Sequence, residues 1–212
     1  MRARNVLLTA VLSMLVAGQV AQAQDASTSR SIDPRADQAL RQMSEYLLSL
    51  NEFMLRTENT MDENAVLGSK VQFGQTVDIY VKRPDRLKAN VNGDLENQQF
   101  FFDGKSITLF NTDEEVYTTL KAPGEIEQAL DYAQDAFGIS APLADLIYRN
   151  AYEVLTKEAN FGHYIGLHMV RGVQCHHLLF VQDDIDWQIW IENSQTPLPR
   201  KMVITSKWLA GG

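Results

Sequence analysis

The sequence predicts an α+β protein built on an antiparallel sheet with its helices gathered on one face. Three observations carry that expectation. Apolar residues recur at helical spacing in only a few segments, long stretches on either side alternate apolar with polar residues, and strands do not alternate one by one with helices. The chain has 212 residues, 45% hydrophobic and 22% charged. That suffices for one domain with a buried core and is not the composition of a disordered, collagenous or multi-span membrane protein.

The N-terminus joins a basic start, Arg2 and Arg4, to an apolar run from Val6 to Ala17 and then to Ala21, Gln22 and Ala23. A basic start, an apolar stretch short for a bilayer span and an A-x-A site predict a secretory signal peptide over residues 1–23, cleaved after Ala23. The protein is therefore expected in the periplasm. No Cys lies near the cleavage site, so N-terminal acylation is not expected. Residues 24–31 are small and polar and read as a flexible leader, and 32–212 as a single domain.

Asp33 and Pro34 supply an N-cap and a proline for the first helical position, and Ala36, Leu40, Met43, Leu47 and Leu50 follow at helical spacing. They predict an amphipathic helix from about 34 to 49. From Glu52 the period changes to two. Phe53 and Leu55, Val71 and Phe73, then Val77, Ile79 and Val81 read as half-buried antiparallel strands. Arg83, Pro84 and Asp85 form a turn, Leu87 to Val91 resumes a strand, and Gln98 to Phe102 meets Asp103-Gly104, a type I′ hairpin signal leading into Ile107 to Phe110. A second helix runs from Glu125 to Phe137 with Ile126, Leu130, Ala133 and Phe137 on one stripe and Gly138 as its stop. A short third helix begins near Pro142. Strands return over His163 to Val170, Val173 to Val181, Asp186 to Glu192 and Arg200 to Lys207, with a turn at Arg171-Gly172.

Lys plus Arg number 19 and Asp plus Glu 27, a net charge of -8. That balance excludes phosphate-backbone binding as the main task, and no nucleic-acid partner is expected. Cys175 is the single cysteine, so no internal disulfide can form and packing must supply the stability. No Ser-His-Asp signature, phosphate loop, zinc-protease helix or CxxC pair is present. The chain is read as non-catalytic, with no cofactor.

The densest chemistry lies at Cys175, His176 and His177 with His168 upstream. A two-residue loop at Arg171-Gly172 pairs Val170 with Val173 and sets His168 opposite Cys175, which puts His168, Cys175 and His177 on one side of the ribbon. Such donors suit Zn or Cu or a thiol enzyme, but a fourth ligand is missing and packed strand residues are the ordinary reading. Asp183, Asp184 and Asp186 lack the spacing and glycine of a calcium loop and read as a solvated turn. Arg83 and Arg86 flank Pro84 and suit either an anionic head group at a cavity mouth or plain turn arginines. Phe100, Phe101 and Phe102 do not alternate, so a second apolar face is possible.

Two passages, Val81 to Leu87 (VKRPDRL) and Phe102 to Asn111 (FDGKSITLFN), resemble the strand, RP turn and DGK hairpin of the LolA-like periplasmic lipoprotein carriers. Ile32 to Pro34, Gly172 to Leu178, Asp186 to Glu192 and Pro197 to Lys201 are similar to a family of predicted periplasmic bacterial proteins of unknown function that shares that fold. The resemblance spans nearly the whole mature chain. It implies a strongly curved antiparallel sheet, a half-barrel, with the helices as a lid over its concave face. It further implies a lipid, an acyl chain or an acylated protein as ligand, with transient membrane contact. The alternative is an envelope-stress sensor or interaction module with an envelope protein partner. Candidate wall residues are Val77, Ile79, Val81, Phe101, Leu109, Trp187, Ile189 and Ile191, with Leu130 and Phe137 from the lid. Carriers of this type continue through further C-terminal strands, whereas this chain stops at Trp208 to Gly212, so the domain is expected to be short at that end.

Overall fold

A computed structural model describes residues 30–64, 69–138 and 143–207. The expected signal segment, the leader through residue 29, Pro142, the Phe137 side chain and the Trp208–Gly212 end lie outside the described residues.

The chain opens with a two-residue strand β1 (Ser31–Ile32) and helix α1 (Pro34–Ser49). The Asp33 carboxylate caps α1 by accepting the Arg35 backbone N–H at 2.8 Å, and Pro34 occupies the first turn, where its missing N–H costs nothing. A six-stranded antiparallel meander follows: β2 (Glu52–Asn64), β3 (Lys70–Lys82), β4 (Arg86–Gly93), β5 (Asn97–Phe102), β6 (Ser106–Asn111) and β7 (Val116–Lys121). Helix α2 (Ile126–Phe137) starts from a capping box between Glu125 and Gln128 and stops at Gly138, whose φ of 64° is the left-handed conformation glycine tolerates. A 3-10 turn (Ala144–Leu146) and a short helix α3 (Ala151–Thr156) lead into β8 (Phe161–Val170), β9 (Val173–Val181), β10 (Ile185–Glu192) and β11 (Pro199–Ser206).

The strands form two ladders. The meander is one, and the other has the order β1-β8-β9-β10-β11, with β1 parallel to β8 and the rest antiparallel. Among the described residues neither ladder closes on itself, and each carries helix on one face. Leu40, Met43 and Leu47 of α1 pack with Leu155, Leu178, Phe180, Trp187, Ile189 and Ile191. Ile126, Ala129 and Ala133 of α2 pack on Ile79, Val81, Leu87, Phe100, Phe102 and Ile107. The α+β architecture with helices over one side of antiparallel sheet is the one predicted. The division into two ladders arises because α2, the 3-10 turn and α3 carry the chain from β7 to β8, so consecutive strands part company there.

Several elements differ from expectation. Strand β7 has no counterpart among the expected strands. It is an edge strand exposed along most of its length, so its Val, Tyr and Thr residues carry no alternation. The single third helix is instead a 3-10 turn and a six-residue helix. Ser31, placed in the leader, is a strand residue. At Asp103–Ser106 only Gly104 has a positive φ, so the turn is not type I′. Asp103 is kept there because its carboxylate accepts the N–H groups of Lys105 and Ser106 at 2.9 and 2.8 Å. Arg171 and Gly172, with φ of 48° and 84°, do form the expected two-residue turn.

Candidate functional site

In an antiparallel ladder, directly opposed residues share a face. The ranks Phe53–Val81–Leu87–Phe102–Ile107 and Leu55–Ile79–Ala89–Phe100–Leu109 therefore stand on the α2 side of the meander. The same face continues past the helix through Thr57–Val77–Val91 and a polar rank at Asn59–Gln75, ending at Met61–Phe73. Leu55, Val77 and Leu109 are only partly buried, and Met61 is 49% exposed. On the other ladder Leu167 and Met169 lie opposite His176 and Gln174, on the α1 side. They are 46% and 64% exposed. An ion pair of 2.6 Å between Arg171 and Glu58 brings the hairpin that carries Leu167 and Met169 alongside the strand that carries Leu55 and Met61. Apolar side chains on the helix-bearing faces of both ladders are thus left uncovered by helix at this junction.

The expected wall residues divide. Val77, Ile79, Val81, Leu109 and Leu130 belong to the core under α2, whereas Trp187, Ile189 and Ile191 belong to the core under α1. The two sets thus stand in separate clusters, one packed with each helix. Phe101 stands on the opposite face, in the rank Met54–Tyr80–Lys88–Phe101, with the Lys88 ammonium 5.4 Å from its ring. This outer rank lines a shallow groove of about 550 Å³.

Arg83 and Arg86 separate as well. Arg86 is exposed and paired with Asp85 at 3.0 Å. Arg83 is not at a solvent mouth, since its side chain is only 4% exposed, 3.6 Å from Glu127. Its Nε donates to the Leu50 carbonyl at 3.2 Å, while both Nη atoms lack a hydrogen-bond partner. Burial holds its pKa below the usual guanidinium value, with Glu127 opposing that shift.

His168 pairs with Cys175 as expected. That register runs unbroken to Gly166 opposite His177, and a bulge between Gly166 and Tyr164 shifts the pairing beyond it. All three predicted donors face away from α1. The two imidazoles meet through their Nδ1 atoms at 3.0 Å. Cys175 is fully buried, its Sγ rests on the Val173 carbonyl at 3.5 Å, and burial pushes its thiol pKa up. A protonated buried thiol is a poor nucleophile. Among the described residues no group of three or more His, Cys, Asp or Glu is arranged to hold a metal ion. Asp183 accepts from Asn160 at 2.6 Å and Asp186 pairs with Lys207 at 2.9 Å, so the aspartates face separate partners and form no calcium loop. The stacking of Trp190 on His177 at 4.0 Å and the burial of Arg83 had no signal in the sequence.

A family model described as "Predicted periplasmic protein (DUF2092)" matches residues 36–212. No curated protein sequence matches the chain. Among solved structures it is similar to LprF from Mycobacterium bovis, at 12% identity and a TM-score of 0.48, over 82% of this chain and 88% of that one. It is similar to the MucA/MucB complex of Pseudomonas aeruginosa at 12% identity and a TM-score of 0.44, over 82% of this chain and 52% of that one. It is also similar to a LolA superfamily protein from Nitrosomonas europaea at 14% identity and a TM-score of 0.32, over 82% and 72%.

Proposed function

The chain belongs to this family of predicted periplasmic proteins, and from that premise we propose that it is a non-catalytic binding protein for an acyl chain, carried by a lipid or by a lipidated protein. The observation that supports the reading is the junction where Met61, Leu167 and Met169 stand exposed on the helix-bearing faces of both ladders, beside the partly buried Leu55 and Phe73. Apolar area of this kind is costly to leave in water, and each methylene laid over it contributes about 0.8 kcal/mol. A chain of some twelve or more methylenes therefore retains useful affinity after its own ordering costs. The ligand enters at the junction and runs along the apolar ranks toward Val77, with the helices α1 and α2 bounding it.

Displacement of a fluorescent fatty acid by detergent-extracted envelope lipids tests this reading. Saturable displacement supports it. Absence of any binding shifts weight to a protein-interaction role, for which the outer edge of β8 from Gly166 to Val170, unpaired among the described residues, offers strand-pairing groups.

A further inference from the structure

We propose that His168 and His177 form a binding site for a borderline divalent transition-metal ion of the Cu(II) or Zn(II) class, on the face of the β8–β9 ribbon turned away from α1. Their Nδ1 atoms converge at 3.0 Å. Two legs of about 2.0–2.1 Å meeting at a tetrahedral angle need nitrogens about 3.3 Å apart with both lone pairs turned onto the ion and not onto each other, so the His168 ring must swing aside as the pair opens. His168 is exposed and supplies both that movement and the path of entry.

The second residue is held ready. His177 Nε2 donates to Gln188 Oε1 at 2.9 Å, which leaves the lone pair on Nδ1 and aims it at His168. Trp190 stacks on the same ring at 4.0 Å and 14°, fixing its plane. Gly166, opposite His177, leaves open space where a side chain would stand. The proton that now bridges the two imidazoles moves to the exposed Nε2 of His168 when the ion binds, so both nitrogens ligate and water completes the shell. Lys201, 4.6 Å from the Trp190 ring, is a cation beside the stack and moderates the affinity.

The test is titration of untagged protein with CuCl2 and, separately, ZnCl2, followed by calorimetry and tryptophan emission. One saturable equivalent per chain is expected for each ion, tighter for Cu(II), with emission quenched by Cu(II) only and the quench largely removed in Trp190→Phe. His168→Ala, an exposed change that spares the fold, lowers the affinity at least tenfold. His163→Ala, on the same strand, leaves it unchanged. Absence of saturable uptake, or uptake that His168→Ala leaves intact, overturns the site.

Discussion

Met54 and Met61 lie seven residues apart on β2, are exposed to nearly the same extent, 50% and 49%, and stand on opposite faces of the meander. Met54 is opposite Tyr80 on the outer face, and Met61 is opposite Phe73 on the face that carries α2. Two chemically identical probes thus report on the two sides of one strand.

Leu146 and Ile147 are adjacent in the chain and belong to different cores, the first under α1 and the second under α2. Truncating either to Ala is expected to cost about 2–4 kcal/mol, the range for buried Leu and Ile. Because the segment joins both cores, denaturant unfolding remains a single transition in each variant. A loss under 1 kcal/mol in either would show that the 3-10 turn does not hold the cores together.

Gly162 has no room for a side chain. A Cβ there would lie 2.8 Å from both Ile32 Cγ2 and the Phe180 ring, between β1 and the core. Gly162→Ala is expected to destabilise by about 1–3 kcal/mol through overpacking, read as a lowered urea midpoint at unchanged slope.

Glu127 is the carboxylate partner of the buried Arg83, 3.6 Å away, and also accepts the Arg149 backbone N–H at 3.0 Å. Glu127→Gln retains an acceptor but removes the charge, leaving the guanidinium unpaired, and should cost about 1–3 kcal/mol. Adding Arg83→Met removes the stranded charge, so the double variant should be more stable than Glu127→Gln alone. A double variant that is less stable would show that the cation itself contributes through the Leu50 carbonyl and Phe53.

Asp145 has its pKa raised by burial first and by the neighbouring Asp131 second. A carboxyl whose native pKa lies above its unfolded value weakens the fold when ionised and is neutral in effect once pH falls below the unfolded value, about 3.9. Asp145→Asn is therefore expected to stabilise at pH 7 by up to about 1 kcal/mol after solvent screening, with the gain fading as pH falls toward 4. Thermal midpoints across that range check the sign, and a gain that grows on acidification contradicts it.

Local signals carried much of the fold. Asp33-Pro34 and the apolar spacing placed α1 at its observed bounds, and Arg171-Gly172 set the register of β8 on β9, hence His168 opposite Cys175. What failed depended on partners distant in sequence. Phe100, Phe101 and Phe102 offer no alternation, so only the strand opposite, with Ala89, Lys88 and Leu87, decides which one turns outward. The Arg171-Gly172 register also sets Gly166 opposite His177 and so brings His177 within reach of His168, whereas the bulge between Tyr164 and Gly166, which shifts the earlier half of β8 by one residue, gives no local signal. Arg83 read as a turn residue because its burial comes from α2, more than forty positions later. The uncovered junction itself depends on where each helix ends relative to two ladders, which periodicity alone does not supply.

The central claim, an acyl ligand on the helix-bearing faces, is tested most directly by native mass spectrometry and lipid extraction of the exported protein and its Met61→Glu, Met169→Glu and Met54→Glu variants. Co-purifying lipid or acylated peptide that is lost in Met61→Glu and Met169→Glu and kept in Met54→Glu is the predicted result. Ligand lost only in Met54→Glu would move the site to the outer groove beside Tyr80 and Phe101 and contradict the account.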